Sequence, residues 1–404
     1  MATYSSLGTS PTLPSDQPAT RLQVAVIRQQ YRSDGGAERY VASLLTALQG
    51  TACDVTLIAR NWGAAPGQSV IQCNPPKWGR VSRERGFARA VQEILRRQPF
   101  DLVQSNERIA GCDVYRAGDG VHHEWLAQRA RVVSPLMRRL TDFSPYHAYV
   151  KNAERAMFSH PALRAVICNS HMVRQEIQQW FGVDDARLHV IHNGVDTDRF
   201  HPDLASQRTP MRKQLGVPDA APLLLFVGSG FERKGLPAAI RAVAAARGAH
   251  LAVVGKDKRA KSFARLAARC GCRDRIHFAG VQNDVAPYYG AADSLLLPTL
   301  YDPFPNVVLE AMAAGLPVVS SRKCGAAELL AAGDCGFVVD ALDVAGLTQA
   351  ITTLAQKTTA TAMGRRARQI VEPFTLGAMR AKLQTLYAEL LHDRHPSRRT
   401  STAA

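Results

Sequence analysis

The chain has 404 residues, of which 46% are hydrophobic and 21% charged, and its formal net charge is +16. This length exceeds one ordinary core and favours two domains, while the composition excludes an intrinsically disordered chain. No apolar run approaches the roughly 20 residues of a membrane span. Residues 1–20 are rich in Ser, Thr and Pro and lack the apolar core of a signal peptide. We therefore expect a cytoplasmic protein with a flexible tail over residues 1–20.

Short apolar segments alternate with longer amphipathic ones in the first half of the chain. The predicted strands of this half are Leu22–Arg28, Asp54–Ala59, Leu102–Ser105, Ala165–Asn169 and Leu188–His192. A helix is predicted over Ala37–Leu48, and the alternation is typical of a parallel sheet covered on both faces. Gly35 and Gly36 lie where the first strand turns into this helix. Their backbone amides are expected to face a ligand at the helix N-terminus, although a tight turn without a ligand is the alternative.

The same pattern begins again after His201–Pro210, a polar stretch with two prolines. The predicted strands of the second half are Leu223–Gly228, His250–Gly255, Ile276–Ala279, Ser294–Pro298, Pro317–Ser320 and Gly336–Val339. The predicted helices are Leu236–Ala245, Val307–Ala313 and Leu376–Leu391. We predict an α/β protein with two Rossmann-like domains, residues 21–200 and 201–375, that enclose a cleft. A helix and a basic tail follow over residues 376–404.

Two carboxylates lie near the end of the predicted strand Ser294–Pro298. Asp302 falls in the following loop, and Glu310 falls one turn inside the next helix. Asn306 is a suitable N-cap, so the first turn with Val307 is expected to present free N–H groups to phosphate or sugar oxygens. Glu310 is then placed to accept hydrogen bonds from a vicinal diol such as ribose. The alternative is an ordinary loop and helix with two surface acids.

A glycine-containing turn with two cations follows the strand Leu223–Val227. Gly228 and Ser229 begin this turn, and Arg233 and Lys234 end it. Glycine allows a ligand to approach the backbone closely, and adjacent cations at a strand end suit a diphosphate. The spacing is neither that of a Walker loop nor that of a dinucleotide fingerprint, which disfavours a nicotinamide-dependent dehydrogenase.

Basic residues are concentrated in two runs of the N-terminal half. The first run comprises Lys77, Arg80, Arg83, Arg85, Arg89, Arg96 and Arg97, and the second comprises Arg129, Arg131, Arg138 and Arg139. Each run alone is compatible with a solvated helix face, whereas the two together indicate a surface that binds an anionic partner. The charge alone would permit a nucleic-acid-binding protein. However, no nucleic-acid-binding module is recognisable and aromatic residues make up only 7% of the chain, so no nucleic acid partner is expected.

Taken together, these segments resemble glycosyltransferase family 4 over nearly the whole chain. The matching motifs, in the family's order, are Gly35-Gly-Ala-Glu-Arg39, His192-Asn-Gly-Val-Asp196, Phe231-Glu-Arg-Lys-Gly235, the segment from Asp302 to Glu310, and Ala313-Ala-Gly-Leu-Pro-Val-Val319. The resemblance implies a GT-B fold with an acceptor domain first, a nucleotide-sugar domain second and a last helix that crosses back. It also implies a retaining enzyme that needs neither a metal nor another cofactor.

The resemblance also implies roles for single residues. Glu310 would bind the ribose hydroxyls, and Arg233 and Lys234 would neutralise the leaving diphosphate. The amides of Gly35 and Gly36 would approach the diphosphate or the acceptor. The family usually has Glu at the first acidic position, where this chain has Asp302, whose side chain is one methylene shorter. The identity of the donor sugar is therefore open.

A closer resemblance is to the lipopolysaccharide core glucosyltransferase I subgroup. The matching segments are Tyr115-Arg-Ala-Gly-Asp-Gly-Val-His122, Val227–Gly235 and Val253-Val-Gly-Lys-Asp-Lys258. This resemblance implies transfer of glucose from UDP-glucose to an inner-core heptose at the cytoplasmic face of the inner membrane. The two basic runs would then contact phosphorylated core sugars and anionic lipid, as in a peripheral membrane protein.

Asp119 is the predicted group that orients the acceptor hydroxyl or the donor sugar, and His122 is a second candidate. For His122 an ordinary polar contact is as good an interpretation as catalysis. The main alternative within the family is a mannosyl- or galactosyltransferase of exopolysaccharide synthesis. A basic nucleic-acid-binding protein is the alternative from another class.

Overall fold

The computed structural model describes residues 21–29, 36–48, 53–61 and 69–392. These residues form two parallel sheets with helices on both faces, so the predicted α/β class with two Rossmann-like units is confirmed. The strands of the first sheet fall within residues 22–190, and those of the second fall within residues 223–339. The predicted tail over residues 1–20, Gly35 and the basic tail after residue 392 lie outside the described residues.

The first sheet contains β1 (Leu22–Ile27), β2 (Cys53–Ala59), β3 (Ser69–Gln72), β4 (Leu102–Ser105), β5 (Val114–Arg116), β6 (Ala165–Cys168) and β7 (Leu188–Val190). Its order is β3-β2-β1-β4-β5-β6-β7. The helices of this part are α1 (Gly36–Leu48), α2 (Arg80–Arg97), α3 (His122–Ala130), α4 (Pro135–Asp142), α5 (Pro145–Phe158) and α6 (His171–Phe181). The sequence did not predict β3, whose side chains are mostly exposed, or β5, which has only three residues.

The second sheet contains β8 (Leu223–Val227), β9 (His250–Val254), β10 (Ile276–Gly280), β11 (Ser294–Leu297), β12 (Val318–Ser321) and β13 (Gly336–Val339). Its order is β10-β9-β8-β11-β12-β13. The helices of this part are α7 (Arg208–Leu215), α8 (Leu236–Ala245), α9 (Ala260–Arg269), α10 (Ala286–Ala291), α11 (Asn306–Ala313), α12 (Ala327–Gly333), α13 (Val344–Leu354) and α14 (Lys357–Val371). Every residue of β8 is buried, as expected for a strand covered on both faces.

The strand order reverses at one place in each sheet, between β1 and β4 and between β8 and β11. In open parallel sheets, ligands bind beyond the carboxyl ends of the strands at such a reversal. Asn106 and Asp119 follow strands of the first sheet, and Gly228 and Asp302 follow strands of the second. The topology therefore directs both sets of residues to the space between the domains.

The last helix, α15 (Leu376–His392), belongs to the first core although it follows the second sheet. Leu383 and Tyr387 are buried there against residues such as Val24 and Leu44. The Tyr387 hydroxyl also donates a hydrogen bond to the Gln104 side chain. The predicted helix that crosses back to the first domain is therefore confirmed.

None of the described helices combines the length and the apolar character that a bilayer span requires.

Leu383→Ala is expected to lower the thermal unfolding midpoint of the chain. Leu383 is fully buried in the first core, and such a truncation destabilises a protein by about 2–5 kcal/mol. Lys382→Ala, at the neighbouring exposed position of α15, serves as the matched control. Equal midpoints for the two variants would show that α15 does not hold the first domain together.

Candidate active site between the two domains

The turn after β8 packs closely against the chain after β11. Gly235 has φ 83°, and a Cβ there would lie 1.8 Å from the carbonyl oxygen of Pro298. The carbonyl of Arg233 accepts hydrogen bonds from the Leu300 amide at 2.8 Å and from the Thr299 hydroxyl at 3.0 Å. Only glycine fits this close approach, which brings the two cations of the turn beside the loop that carries Asp302.

Asp302 lies between these two cations. Its Oδ2 accepts hydrogen bonds from Arg233 Nη1 at 3.1 Å and from Lys234 Nζ at 2.5 Å. The residue is 6% exposed. Burial alone would raise the pKa of Asp302, but the charges of Lys234 and Arg233 hold it below its ordinary value. Asp302 is therefore ionised at neutral pH.

Asp119 faces this cluster from the first domain. Its side chain is 60% exposed, and Oδ2 lies 3.8 Å from Arg108 Nη1. Desolvation in the cleft would by itself raise the pKa of Asp119. The charges of Arg108, Arg28 and Arg116 outweigh desolvation, so the pKa of Asp119 lies below its ordinary value. Arg233 of the second domain contributes in the same direction. The wall around Asp119 is thus strongly cationic and suited to an anionic ligand.

His122 begins α3 and is buried. Its backbone N–H donates to the Glu154 carboxylate at 3.0 Å, and its Nε2 lies 3.0 Å from His147 Nδ1. Burial, together with the charge of Arg108, lowers the pKa of His122 to about 3. The imidazole is therefore neutral at pH 7 and can act there only as an uncharged hydrogen-bonding group.

One cavity of about 360 Å³ brings most of the predicted catalytic residues together. Asp119, His122, Arg233 and Asp302 all line it, and Lys234 is bonded to Asp302. The other lining side chains include Arg80, Arg108, Trp125, Tyr146, His147 and Tyr301. Residues of both domains form its walls, so this cavity is the cleft that the sequence predicted.

Glu310 lines a second, smaller cavity of about 140 Å³ with Asn306, Asn193 and Tyr40. Its Oε2 accepts a hydrogen bond from the Tyr289 hydroxyl at 2.7 Å. The predicted N-cap role of Asn306 is wrong, because α11 already begins at Asn306 after an extended Pro305. The Asn306 Oδ1 instead accepts a hydrogen bond from Asn193 Nδ2 at 2.7 Å.

The segment Pro303–Asn306 separates the two cavities. Pro303 lines the larger cavity and Asn306 lines the smaller one. Asn193 fixes this segment by donating through Nδ2 to the Phe304 carbonyl at 3.1 Å as well as to Asn306. Asp302 and Glu310, which have seven residues between them in sequence, therefore line different cavities in this structure.

The remaining residues of the predicted nucleotide-sugar site lie at element ends. Gly36 begins α1, Gly228 and Ser229 follow β8, and Val307 lies in the first turn of α11. A Cβ on Gly228 would lie 3.2 Å from Lys234 Cε, so the lysine stem packs over this glycine. Ser229 is exposed. Contact of these residues with a nucleotide sugar stays a prediction.

The predicted basic patch is only partly free to meet a partner. Lys77, Arg80, Arg85, Arg89, Arg131, Arg138 and Arg139 are exposed, whereas Arg83 and Arg129 are half-buried. Arg83 pairs with Glu84 at 2.8 Å, and Arg131 pairs with Asp340 of the second domain at 2.7 Å. The Arg80 guanidinium lies 3.8 Å from the centre of the Tyr146 ring, at the cavity. The patch therefore extends from the surface into the cleft.

Sequence reasoning missed Tyr301, which joins the two domains. Its hydroxyl accepts a hydrogen bond from the Val121 amide at 2.8 Å and donates one to Glu176 at 2.7 Å. A Cβ on Gly120 would lie 2.1 Å from this hydroxyl. Lys323 of the second domain adds an ion pair with Glu176 at 2.9 Å. The only sequence signal that could have identified Tyr301 as a site residue is its position directly before Asp302.

Comparison with known proteins agrees with this geometry. Residues 34–199 match the family described as Glycosyltransferase Family 4, and residues 221–357 match the family described as Glycosyl transferases group 1. The chain is 29% identical over 324 residues to the lipopolysaccharide glucosyltransferase WaaG of Escherichia coli (strain K12), covering 78% of this chain and 84% of that one. It is 27% identical over 370 residues to the lipopolysaccharide core biosynthesis glycosyltransferase LpsE of Rhizobium meliloti (strain 1021), covering 87% of this chain and 98% of that one.

Solved structures show the same fold. The crystal structure of WaaG, a glycosyltransferase involved in lipopolysaccharide biosynthesis, matches with a TM-score of 0.78 and 26% identity over 90% of this chain and 99% of that one. The structure of Anabaena Alr3699/HepE in complex with UDP-glucose matches with a TM-score of 0.70 and 21% identity over 91% of this chain and 100% of that one. At this identity the match shows a likeness of fold alone. From its two domain matches and its fold, the chain belongs to the family 4 glycosyltransferases with the GT-B fold.

Proposed function

We propose that the chain transfers glucose from UDP-glucose to a heptose of the lipopolysaccharide inner core, at the cytoplasmic face of the inner membrane. The observation that carries this proposal is the cavity in which Arg233 and Asp302 of one domain face Asp119 of the other. Support also comes from the relatives, which are a lipopolysaccharide glucosyltransferase and a lipopolysaccharide core glycosyltransferase.

The cationic pair is suited to the leaving group of this reaction. Arg233 and Lys234 lie at the carboxyl end of β8, where a diphosphate would share them with Asp302. Fixed positive charges of this kind stabilise the charge that develops on a departing diphosphate without a metal ion. We therefore propose a transferase that needs neither a metal nor another cofactor.

We further propose that the reaction retains the anomeric configuration through attack on the face that the leaving group vacates. The bond from the anomeric carbon to the diphosphate oxygen breaks as a bond to the acceptor oxygen forms. The acceptor proton moves to the departing phosphate. Asp119, whose pKa is lowered, is ionised and can accept a hydrogen bond from a sugar hydroxyl, which would orient it.

Glu310 is proposed to bind the ribose from the smaller cavity. Its carboxylate is buried, and the Tyr289 hydroxyl orients one of its oxygens. This role places the nucleoside on the far side of the segment Pro303–Asn306 from the sugar-transfer cavity. The diphosphate would then have to pass that segment to reach Arg233.

A membrane contact is supported most directly by α4. This helix has no buried residue, and it exposes Leu136, Met137 and Leu140 next to Arg138 and Arg139. A helix with exposed apolar and cationic side chains is typical of binding at a lipid headgroup boundary. The helix packs against α5, which supplies Tyr146 and His147 to the cavity. A membrane at α4 would thus lie near the acceptor end of the cleft.

The stretch Ser82–Arg97 of α2, which carries most of the first basic run, is less suited to the headgroup boundary than α4. Phe87 and Val91 of this stretch are buried in the first domain, and Arg83 is held by Glu84. Its exposed basic residues Arg85 and Arg89 can add attraction to an anionic surface. We propose α4 as the part that enters the headgroup layer and α2 as a flanking cationic surface.

Glu310→Gln is expected to lower the turnover of UDP-glucose with a truncated lipopolysaccharide acceptor by at least about tenfold, since a hydrogen bond to a charged group contributes about 1.5–3 kcal/mol. Glutamine keeps the side-chain volume, and the unfolding midpoint reports whether the fold is intact. Glu389→Gln, on the exposed face of α15, is the matched control. Unchanged turnover in Glu310→Gln would contradict the ribose assignment.

The identity of the donor is tested by turnover of the wild type with a panel of UDP-, GDP- and ADP-sugars, of which UDP-glucose is expected to be the best substrate.

His122→Gln is expected to lower turnover by the same factor at every pH between about 5 and 9. The reason is that the wild-type imidazole, with a pKa of about 3, stays neutral across this range and neither gains nor loses a proton. The measurement is kcat/KM against pH for both proteins. A titration with a pKa near 6 to 7 that disappears in the variant would show that His122 transfers a proton.

Replacing Leu140 and Phe143 by Ser is expected to weaken binding to vesicles with anionic headgroups severalfold while UDP binding is unchanged. Both side chains are exposed, 58% and 84%, so the fold does not depend on them. Arg138→Glu with Arg139→Glu should act in the same direction through charge. The control is Arg265→Glu with Arg269→Glu, an equal change of charge on the exposed face of α9 in the second domain. Vesicle binding that survives both α4 variants would contradict the membrane assignment.

A further inference from the structure

Two histidines and one glutamate meet at the domain interface, outside both cavities. His192 follows β7, and His171 is the first residue of α6. Glu328 lies in the first turn of α12, in the second domain. One ring nitrogen of each histidine and one carboxylate oxygen of Glu328 all lie within 4.8 Å of one another. The two domains thus direct three donor atoms to one point.

Neighbouring groups hold two of these side chains in place. Glu328 Oε1 lies 2.6 Å from His192 Nε2, and its Oε2 accepts a hydrogen bond from the His171 amide at 3.0 Å. The His192 ring packs against Phe304 and Phe374, with ring centroids 5.1 and 5.3 Å away. Outer contacts of this kind fix the orientation of side chains that bind metals.

The chemistry of the three donors favours a divalent transition metal. Zinc binds imidazole nitrogen and carboxylate oxygen at about 2.0–2.2 Å, whereas calcium and magnesium prefer oxygen donors alone. Four ligands at that bond length lie about 3.4 Å apart in a tetrahedron. Donor atoms that are now up to 4.8 Å apart therefore have to approach by no more than about 1.5 Å. Glu328 Oε1 and His192 Nε2, which are 2.6 Å apart, have to separate by about 0.8 Å to admit the ion. His171 is exposed, so its ring can rotate inward and water can occupy a fourth position.

We propose that His171, His192 and Glu328 bind one divalent transition-metal ion, such as zinc, that bridges the two domains. His192 would present an unprotonated Nε2 to the ion, and the ion would replace the direct contact of that nitrogen with Glu328. Because its ligands come from both domains, the ion stabilises the arrangement in which the domains are in contact. The cluster lines neither cavity, so the ion would lie outside the site proposed for the transfer reaction.

The test uses the full chain without a metal-affinity tag, depleted with a chelator and then titrated with zinc by calorimetry. No donor or acceptor is present, so the result is independent of the proposed transfer reaction. We expect one ion per chain and a higher unfolding midpoint with zinc than with chelator. Cobalt at the same site should give the visible absorption of a four-coordinate ion.

His171→Ala is the informative variant, because it leaves the contact between His192 and Glu328 in place. It should weaken zinc binding at least about tenfold. The matched control is His277→Ala, which removes one ring of a stacked histidine pair in which His250 Nδ1 lies 3.0 Å from His277 Nε2. Zinc binding that is absent in the wild type, unchanged in His171→Ala, or weakened equally in His277→Ala would overturn the proposal.

Discussion

The buried contact of Asp302 with Arg233 and Lys234 is the interaction on which the rest of the site depends. A buried carboxylate is strongly unfavourable unless it is paired and hydrogen-bonded, so the three side chains constrain one another. They lie in the segments that follow β8 and β11, and these two strands are neighbours only because the strand order reverses there. The topology of the second sheet therefore fixes two cations at the point where an anionic group of a donor would enter.

The same loop also joins the two domains. Tyr301, which precedes Asp302, bonds Val121 and Glu176 of the first domain, and the Pro303 carbonyl accepts a hydrogen bond from Ser170 at 2.9 Å. A change at Asp302 would therefore act on the cations and on the domain interface together. The helix α15 adds a second connection, because it follows the second domain but packs in the first core. The relative placement of Asp119 and Arg233 rests on these contacts.

Much of the fold and part of the site could be predicted from the sequence. Runs such as Leu223–Val227 are apolar because both faces of a central parallel strand are covered, and residues that follow such strands meet at one edge. This reasoning correctly brought Asp119, Arg233 and Asp302 together. It missed Tyr301, whose partner Val121 is 180 residues away, because packing between domains leaves no local pattern. It wrongly made Asn306 the N-cap of α11, whereas the helix begins at Asn306 and the side chain of that residue bonds Asn193.

If Arg233 and Lys234 bind the diphosphate of the donor, the protein must distinguish UDP from uridine through these two side chains. Calorimetric titration of the wild type and of the double variant Arg233→Ala with Lys234→Ala separates the diphosphate from the nucleoside. We expect the wild type to bind UDP at least about a hundredfold more tightly than uridine, since a charge-assisted hydrogen bond contributes about 1.5–3 kcal/mol. We expect most of this difference to be lost in the double variant. Equal affinities in the wild type, or a difference that persists in the variant, would contradict it.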